Sequence, residues 1–185
     1  ISRSAVLYSE MYNSSAVVHN WHKLDIFRCS KFSSGDMTNT VLQLGGSSPL
    51  DMANAALIAR NNGGYHHINV NAGCPSPRVA GDGCFGAALM LKPDLLVEIA
   101  QRIGDITGVA PSIKCRIGVN DEYTEYQLCQ LVDQLHRKGG VTDIIVHARN
   151  AILNKKFSPA DNRNIPPLRY GVVHALVAEF PCVNF

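Results

Sequence analysis

Short apolar stretches alternate along the chain with longer stretches in which apolar positions recur at helical spacing. Buried strands are expected at Ala5–Met11, Thr40–Leu44, His67–Asn71, Pro111–Ile117 and Asp143–His147. Between them, Ser48-Pro49-Leu50 opens a helix with a capping serine and a proline in the first turn, and Gly63-Gly64 closes it. Pro93 opens a second helix through Leu95, Leu96, Ile99 and Ile103. Thr124 opens a third, whose Leu128, Leu131, Val132 and Leu135 form one apolar stripe ahead of Gly139-Gly140. A fourth runs from Leu168 to Phe180, and Cys182-Val183-Asn184-Phe185 then begins a further strand. Arg28–Asn39 reads as a solvent loop, and there is no internal repeat beyond the strand–helix alternation.

Such alternation builds parallel βα units, which close either a doubly wound sheet or a (β/α)8 barrel. No GxGxxG follows the first strand, which weighs against the dinucleotide-binding version of the doubly wound fold. A complete barrel takes about 250 residues. The expected fold is therefore α/β, an incomplete TIM (β/α)8 barrel spanning 1–185, with about strands 2 to 6 plus the start of strand 7. A start at Ile1 without methionine agrees with a fragment or a processed product.

Composition narrows the class without choosing the function. With 46% hydrophobic and 17% charged residues the chain has the makings of one globular core. A net charge of +2 permits an RNA partner but lacks the strong basic signature of a dedicated nucleic-acid binder. Six cysteines without a CxxC pair indicate neither a zinc site nor a disulfide framework, so no metal is expected and a reducing compartment is. That compartment is the cytoplasm, or an organelle if a leader preceded Ile1. No apolar run reaches the roughly 18 residues of a membrane span.

Functional groups of a parallel barrel gather where the strands end, so polar residues there carry the information. Gln43 ends the second strand, Asn69 and Asn71 share one face of the third, Lys114 and Arg116 share one face of the fourth, and His147 and Arg149 end the fifth. Any one of these alone reads more readily as a solvated loop entry or a satisfied core polar group. Facing outward, Lys114 and Arg116 would have to thread between covering helices. Facing the barrel mouth, the set suits an electron-rich ring bearing a phosphate. Lys114 would stabilise charge at the N1/O2 edge of a reduced flavin, and Gln43 would bond its pyrimidine part. Cys74 follows the third strand between Gly73, which allows close backbone approach, and Pro75, which fixes the turn. It reads as a nucleophile, with His147 as a base in space, or as a general acid.

The run INVNAGCPSPRV at 68–79, followed by FGAALM at 85–90, resembles the catalytic segment of the tRNA-dihydrouridine synthases, and more narrowly their DusA-type subfamily. VLQLGGSSP at 41–49, IKCRIGVND at 113–121, IIVHARNAIL at 144–153 and NRNIPPLRY at 162–170 are similar to that subfamily in the same order. The resemblance implies a barrel holding FMN, reduced by NADPH, that delivers hydride to C6 of a tRNA uridine in the D-loop while a cysteine protonates C5. By that likeness Cys74 is the general acid, Gln43, Lys114 and His147 contact FMN, and Asn71 sits between flavin and uracil. Arg116 reaches the substrate side, and Arg78, Arg149 and Arg163 match basic positions that contact RNA. The likeness further implies a monomer when full length, with a first strand before Ile1 and with phosphate-binding strands and a helical tRNA-binding domain beyond Phe185.

The sequence departs from the family at Pro77, where an acidic residue is usual, and at Asn150, where a lysine is. Two other readings stay open. One is an inactive truncated fragment that binds RNA or a partner through exposed strand edges. The other is a different FMN barrel acting on a free pyrimidine, such as a dihydroorotate dehydrogenase, against which NRNIPPL at 162–168 argues.

Overall fold

The computed structural model describes residues 5–25, 39–76, 85–121, 123–154 and 156–185. The five expected strands are β1 (Leu7–Asn13), β2 (Thr40–Gly45), β3 (His67–Ala72), β4 (Ser112–Val119) and β5 (Ile144–Ala151). They pair side by side, all parallel and in chain order. That order decides between the two βα architectures. A doubly wound sheet reverses direction at a switch point, whereas an order that always advances belongs to a barrel wall. The fold is thus a partial TIM barrel. Asn184 pairs in parallel with Asp143, so the segment after the last helix begins a further strand beside β5, as the sequence suggests.

Local caps mark several of the helix ends. The helices are α1 (Ser14–Asn20), α2 (Pro49–Gly63), α3 (Pro93–Thr107), α4 (Glu125–Arg137), the four-residue α5 (Asp161–Asn164) and α6 (Tyr170–Glu179). The Ser48 hydroxyl accepts the Asp51 amide at 3.2 Å, and Gly64 terminates α2 at φ 70°, a left-handed conformation that favours glycine. Thr124 and Gln127 form a reciprocal capping box at the start of α4. Leu42, Leu44, Val70, Ala72, Ile113 and Ile144 on the outer face of the sheet meet Ala55, Ala59, Leu96, Ile99, Leu128 and Leu131 from the helices in one core. No helix of the described residues is long and apolar enough to cross a membrane.

The structure departs from the sequence reading in two respects. Strands continue past their apolar runs, β4 to Val119 and β5 to Ala151, and β1 is displaced toward Asn13. Helix α1 begins at once after β1, with the Asn13 Oδ1 accepting the Ser15 and Ala16 amides at 3.0 and 3.3 Å. Its sequence, SSAVVHN, is poor in helix formers and shows no helical pattern by itself. Gly46 explains how it fits: a Cβ there would lie 2.2 Å from the Ser14 Oγ and 2.9 Å from the Met52 Sδ. The expected loop at Arg28–Asn39 lies, except for Asn39, outside the described residues.

Candidate active site

Strand register turns the polar residues of the four strands toward one face of the sheet. Gln43, Asn69 and Ser112 stand abreast, Asn71 pairs with Lys114 in the next row, and Arg116 pairs with His147 above them. The first rows are joined by a chain of side-chain amides. Asn71 Nδ2 donates to Gln43 Oε1 at 2.8 Å, Gln43 Nε2 to Asn69 Oδ1 at 2.8 Å, and Asn69 Nδ2 to Ser112 Oγ at 2.9 Å. The direction of the chain is fixed at one end. Asn71 Oδ1 accepts two backbone amides, Gly73 at 3.2 Å and Cys74 at 2.9 Å, so its nitrogen must face Gln43. Asn69 is fully buried, and the network satisfies it.

The backbone around Cys74 is held on every polar atom. Besides the two amides taken by Asn71, the Gly73 carbonyl accepts from Arg116 Nε at 3.2 Å and the Cys74 carbonyl from the Ala87 amide at 2.9 Å. Gly73 lies against β4, where a Cβ would sit 3.3 Å from the Lys114 carbonyl oxygen. The thiol itself is half-buried and makes no hydrogen bond among the described residues. Arg116 ties this loop to the rest of the mouth. Only 4% exposed, it also donates through Nη1 to the Asn150 carbonyl at 3.3 Å and the Asn162 carbonyl at 3.0 Å. One guanidinium thereby joins the ends of β3 and β5 and the short helix α5. Asn162, fully buried, clasps Ile152 by accepting its amide at 2.7 Å and donating to its carbonyl at 3.1 Å.

Lys114 and His147 have no hydrogen-bond or ion-pair partner among the described residues, although both are partly buried. Burial, then the neighbouring Arg116, lowers the Lys114 pKa. Burial and the charges of Arg116, Lys114, Arg149 and Arg163 bring His147 down to about 4, so its imidazole is neutral at pH 7. Between pH 6.5, the ordinary value, and pH 4 the unfolded chain therefore binds a proton that folded His147 refuses, and stability falls as the medium is acidified through that window. Urea unfolding at pH 7 and at pH 4.5 should show a smaller acid loss for His147→Gln than for the parent chain.

The remaining basic residues divide. Arg149 donates to the Pro166 carbonyl, Arg163 stands exposed on α5, and Arg78 lies outside the described residues. Sequence reasoning singled out Arg163 in its motif but passed over Asn162 beside it, whose signal was only an amide next to a proline-rich turn. Among the described residues no group of histidine, cysteine or carboxylate side chains is placed to hold a metal ion.

A singly wound parallel wall with its polar rows and a held loop at the C-terminal ends of its strands defines the class of βα-barrel proteins with a site at the barrel mouth. The family model for Dihydrouridine synthase (Dus) matches residues 1–185, and the chain belongs to that family. It is 41% identical over 181 residues to the tRNA-dihydrouridine(20/20a) synthase of Xylella fastidiosa, an alignment covering 98% of this chain and 51% of the relative. The Pasteurella multocida protein of the same name is 40% identical, with 97% and 52% covered, and one from Escherichia coli is 38% identical, with 98% and 50% covered. The chain thus spans about half the length of the curated relatives it matches.

Proposed function

We propose that the chain carries the catalytic part of a flavin-dependent tRNA-dihydrouridine synthase, which reduces a D-loop uridine to 5,6-dihydrouridine with FMN as cofactor and NADPH as reductant. The observation that carries this reading is the Gly73–Cys74 peptide, with all four backbone polar groups held, while the Cys74 thiol, the nearby Lys114 and His147 at the same strand ends have no hydrogen-bond partner among the described residues. The names of the relatives, all tRNA-dihydrouridine synthases, support tRNA as the substrate.

The donor set fits a flavin. The pyrimidine part of an isoalloxazine presents donors and acceptors along one edge and gathers negative charge there on reduction. Lys114 offers an uncommitted positive charge, Gln43 keeps one amide hydrogen beyond its bond to Asn69, and His147 adds a neutral ring. These three are the FMN contacts. When bound and reduced by NADPH, FMN supplies the hydride taken up at C6 of uracil. Cys74 gives its proton to C5, so the C5–C6 double bond is consumed by one hydride and one proton, and the thiolate left behind is reprotonated from solvent. Lys114 and Arg116, both electrostatically coupled to Cys74, offset the charge of that thiolate. Asn71 sets the height of the cysteine loop on the substrate side, and Arg116 serves that side by fixing the same loop. The uridine must leave its stack to reach the thiol, and Arg78, Arg149 and Arg163 hold the RNA backbone as it does so.

Two measurements test this reading. Titration of the chain with FMN should quench flavin fluorescence, and Lys114→Met should weaken binding by about ten-fold, the loss of one charge-assisted contact. Reduction of uridine is then assayed with NADPH on tRNA lacking dihydrouridine, using the chain and the full reading frame. A full reading frame that neither binds FMN nor forms dihydrouridine would overturn the proposal.

A further inference from the structure

A second cavity opens beside the site, between the turn that follows β4 and the segment from Phe157 to Arg169. Its volume of 430 Å³ lies in the range of about 300–1,000 Å³ that small-molecule sites occupy. Among the described residues, Tyr123, Phe157 and Pro166 supply apolar rings to its lining, and Asp121, Asn150 and Arg169 supply polar groups. None of the contacts assigned above uses it. It is nevertheless joined to the Cys74 loop: the Asn150 carbonyl accepts from Arg116 while its side chain lines the cavity, and the Pro166 carbonyl accepts from Arg149.

The polar groups have a definite sense. Asn150 Nδ2 donates to the Asn120 carbonyl at 2.8 Å, which leaves its Oδ1 as an acceptor with no hydrogen among the described residues. That oxygen is well placed in space, because a Cβ on Gly118 would lie 3.0 Å from it and 3.3 Å from the Tyr123 ring. A side chain at that position of β4 would crowd both groups. The Asp121 carboxylate is exposed and likewise has no partner among the described residues. Arg169 is paired with Glu125 through Nη2 and keeps its other N–H groups.

We propose that this cavity binds a guanine base. Flat walls take the faces of a ring. Of the four RNA bases, only guanine presents two adjacent N–H donors, N1 and N2, to a carboxylate, next to an O6 acceptor for a cation. Adenine and cytosine would set a ring-nitrogen lone pair against Asp121, and uracil flanks its single N–H with two carbonyls. The assignment of that guanine to the RNA strand presented to Cys74 rests on the proposed tRNA substrate, and it would give the mouth a means of choosing where along the strand it stops.

The test is calorimetric titration of the chain with GMP, AMP, CMP and UMP, each alone. GMP should bind about ten-fold or more tightly than the other three, as a site that pairs specific donors does. Asp121→Asn, an exposed substitution outside the core, should abolish most of that preference by weakening GMP and relieving the repulsion of AMP, and Asn150→Ala should reduce it in part. Equal affinities, no detectable GMP binding, or a guanine preference that survives Asp121→Asn would overturn the proposal. Because the titration needs no flavin and no turnover, its failure leaves the uridine-reduction assay standing. A chain that prefers GMP but reduces no uridine would sink the proposed reaction and not this site.

Discussion

Cys74→Ala is expected to lower uridine reduction by about 10²- to 10⁴-fold, the usual worth of a positioned general acid, while FMN binding and the unfolding midpoint stay near those of the parent. The separation follows from how the residue is held. Its amide, its carbonyl and both polar groups of Gly73 are bound by Asn71, Arg116 and Ala87, none of which touches the thiol by a hydrogen bond. Alanine removes the acid and leaves the loop. Cys74→Ser should be nearly as inactive, since a hydroxyl of similar size is far too weak an acid for the step. Single-turnover oxidation of reduced flavin in the presence of tRNA reads the chemical step directly. An unchanged rate in Cys74→Ala with bound flavin would remove the cysteine from the mechanism.

The second large effect is on stability. Arg116→Met should lower the free energy of unfolding by about 2–4 kcal/mol, because it strands carbonyls that a single buried cation now satisfies. The carbonyls belong to Gly73, Asn150 and Asn162, so the loss is shared among the β3 loop, the end of β5 and α5. Arg116→Lys should recover little of it, since an ammonium on a flexible stem cannot reproduce a planar fork spanning three segments. Urea unfolding measures the loss. The structure also implies a kinetic trace: in the cold, where the variant is still folded, uridine reduction should remain depressed because the Cys74 loop has lost one of its ties. A variant as stable as the parent would show that the three carbonyls find water instead.

These expectations depend on features that the sequence exposed unevenly. Helix starts such as Ser48-Pro49 and Thr124 were legible because their caps are local chemistry, decided within four residues. The strands were legible as apolar runs, and the sharing of a face by Lys114 and Arg116, or by Asn69 and Asn71, follows from the two-residue period of any strand. Strand ends were not, because polar residues such as Arg149 and Asn150 interrupt the apolar run before Ala151, and a register shift between Arg116 and Gly118 adds a residue to β5. Partners across the mouth were hidden for a different reason. That Arg116 would bond main-chain oxygens of Gly73, Asn150 and Asn162 depends on how three separate segments meet, and carbonyls carry no sequence signal. The place after β3 and the family resemblance both pointed to Cys74, whereas the geometry shows which groups hold its loop.

The row of amides from Asn69 through Gln43 to Asn71 bears on how the reaction would be repeated. Carboxamides do not ionise near neutral pH, and every member of the row has a fixed donor end and a fixed acceptor end. Such a row transmits orientation from the middle of the sheet to the cysteine loop, but it cannot relay a hydrogen ion. The amide row, though not Lys114 and His147 beside it, is in that sense insulating. A thiolate formed at Cys74 would have to be recharged from the open side, through water that enters as the reduced base departs, so turnover and product release would share one doorway.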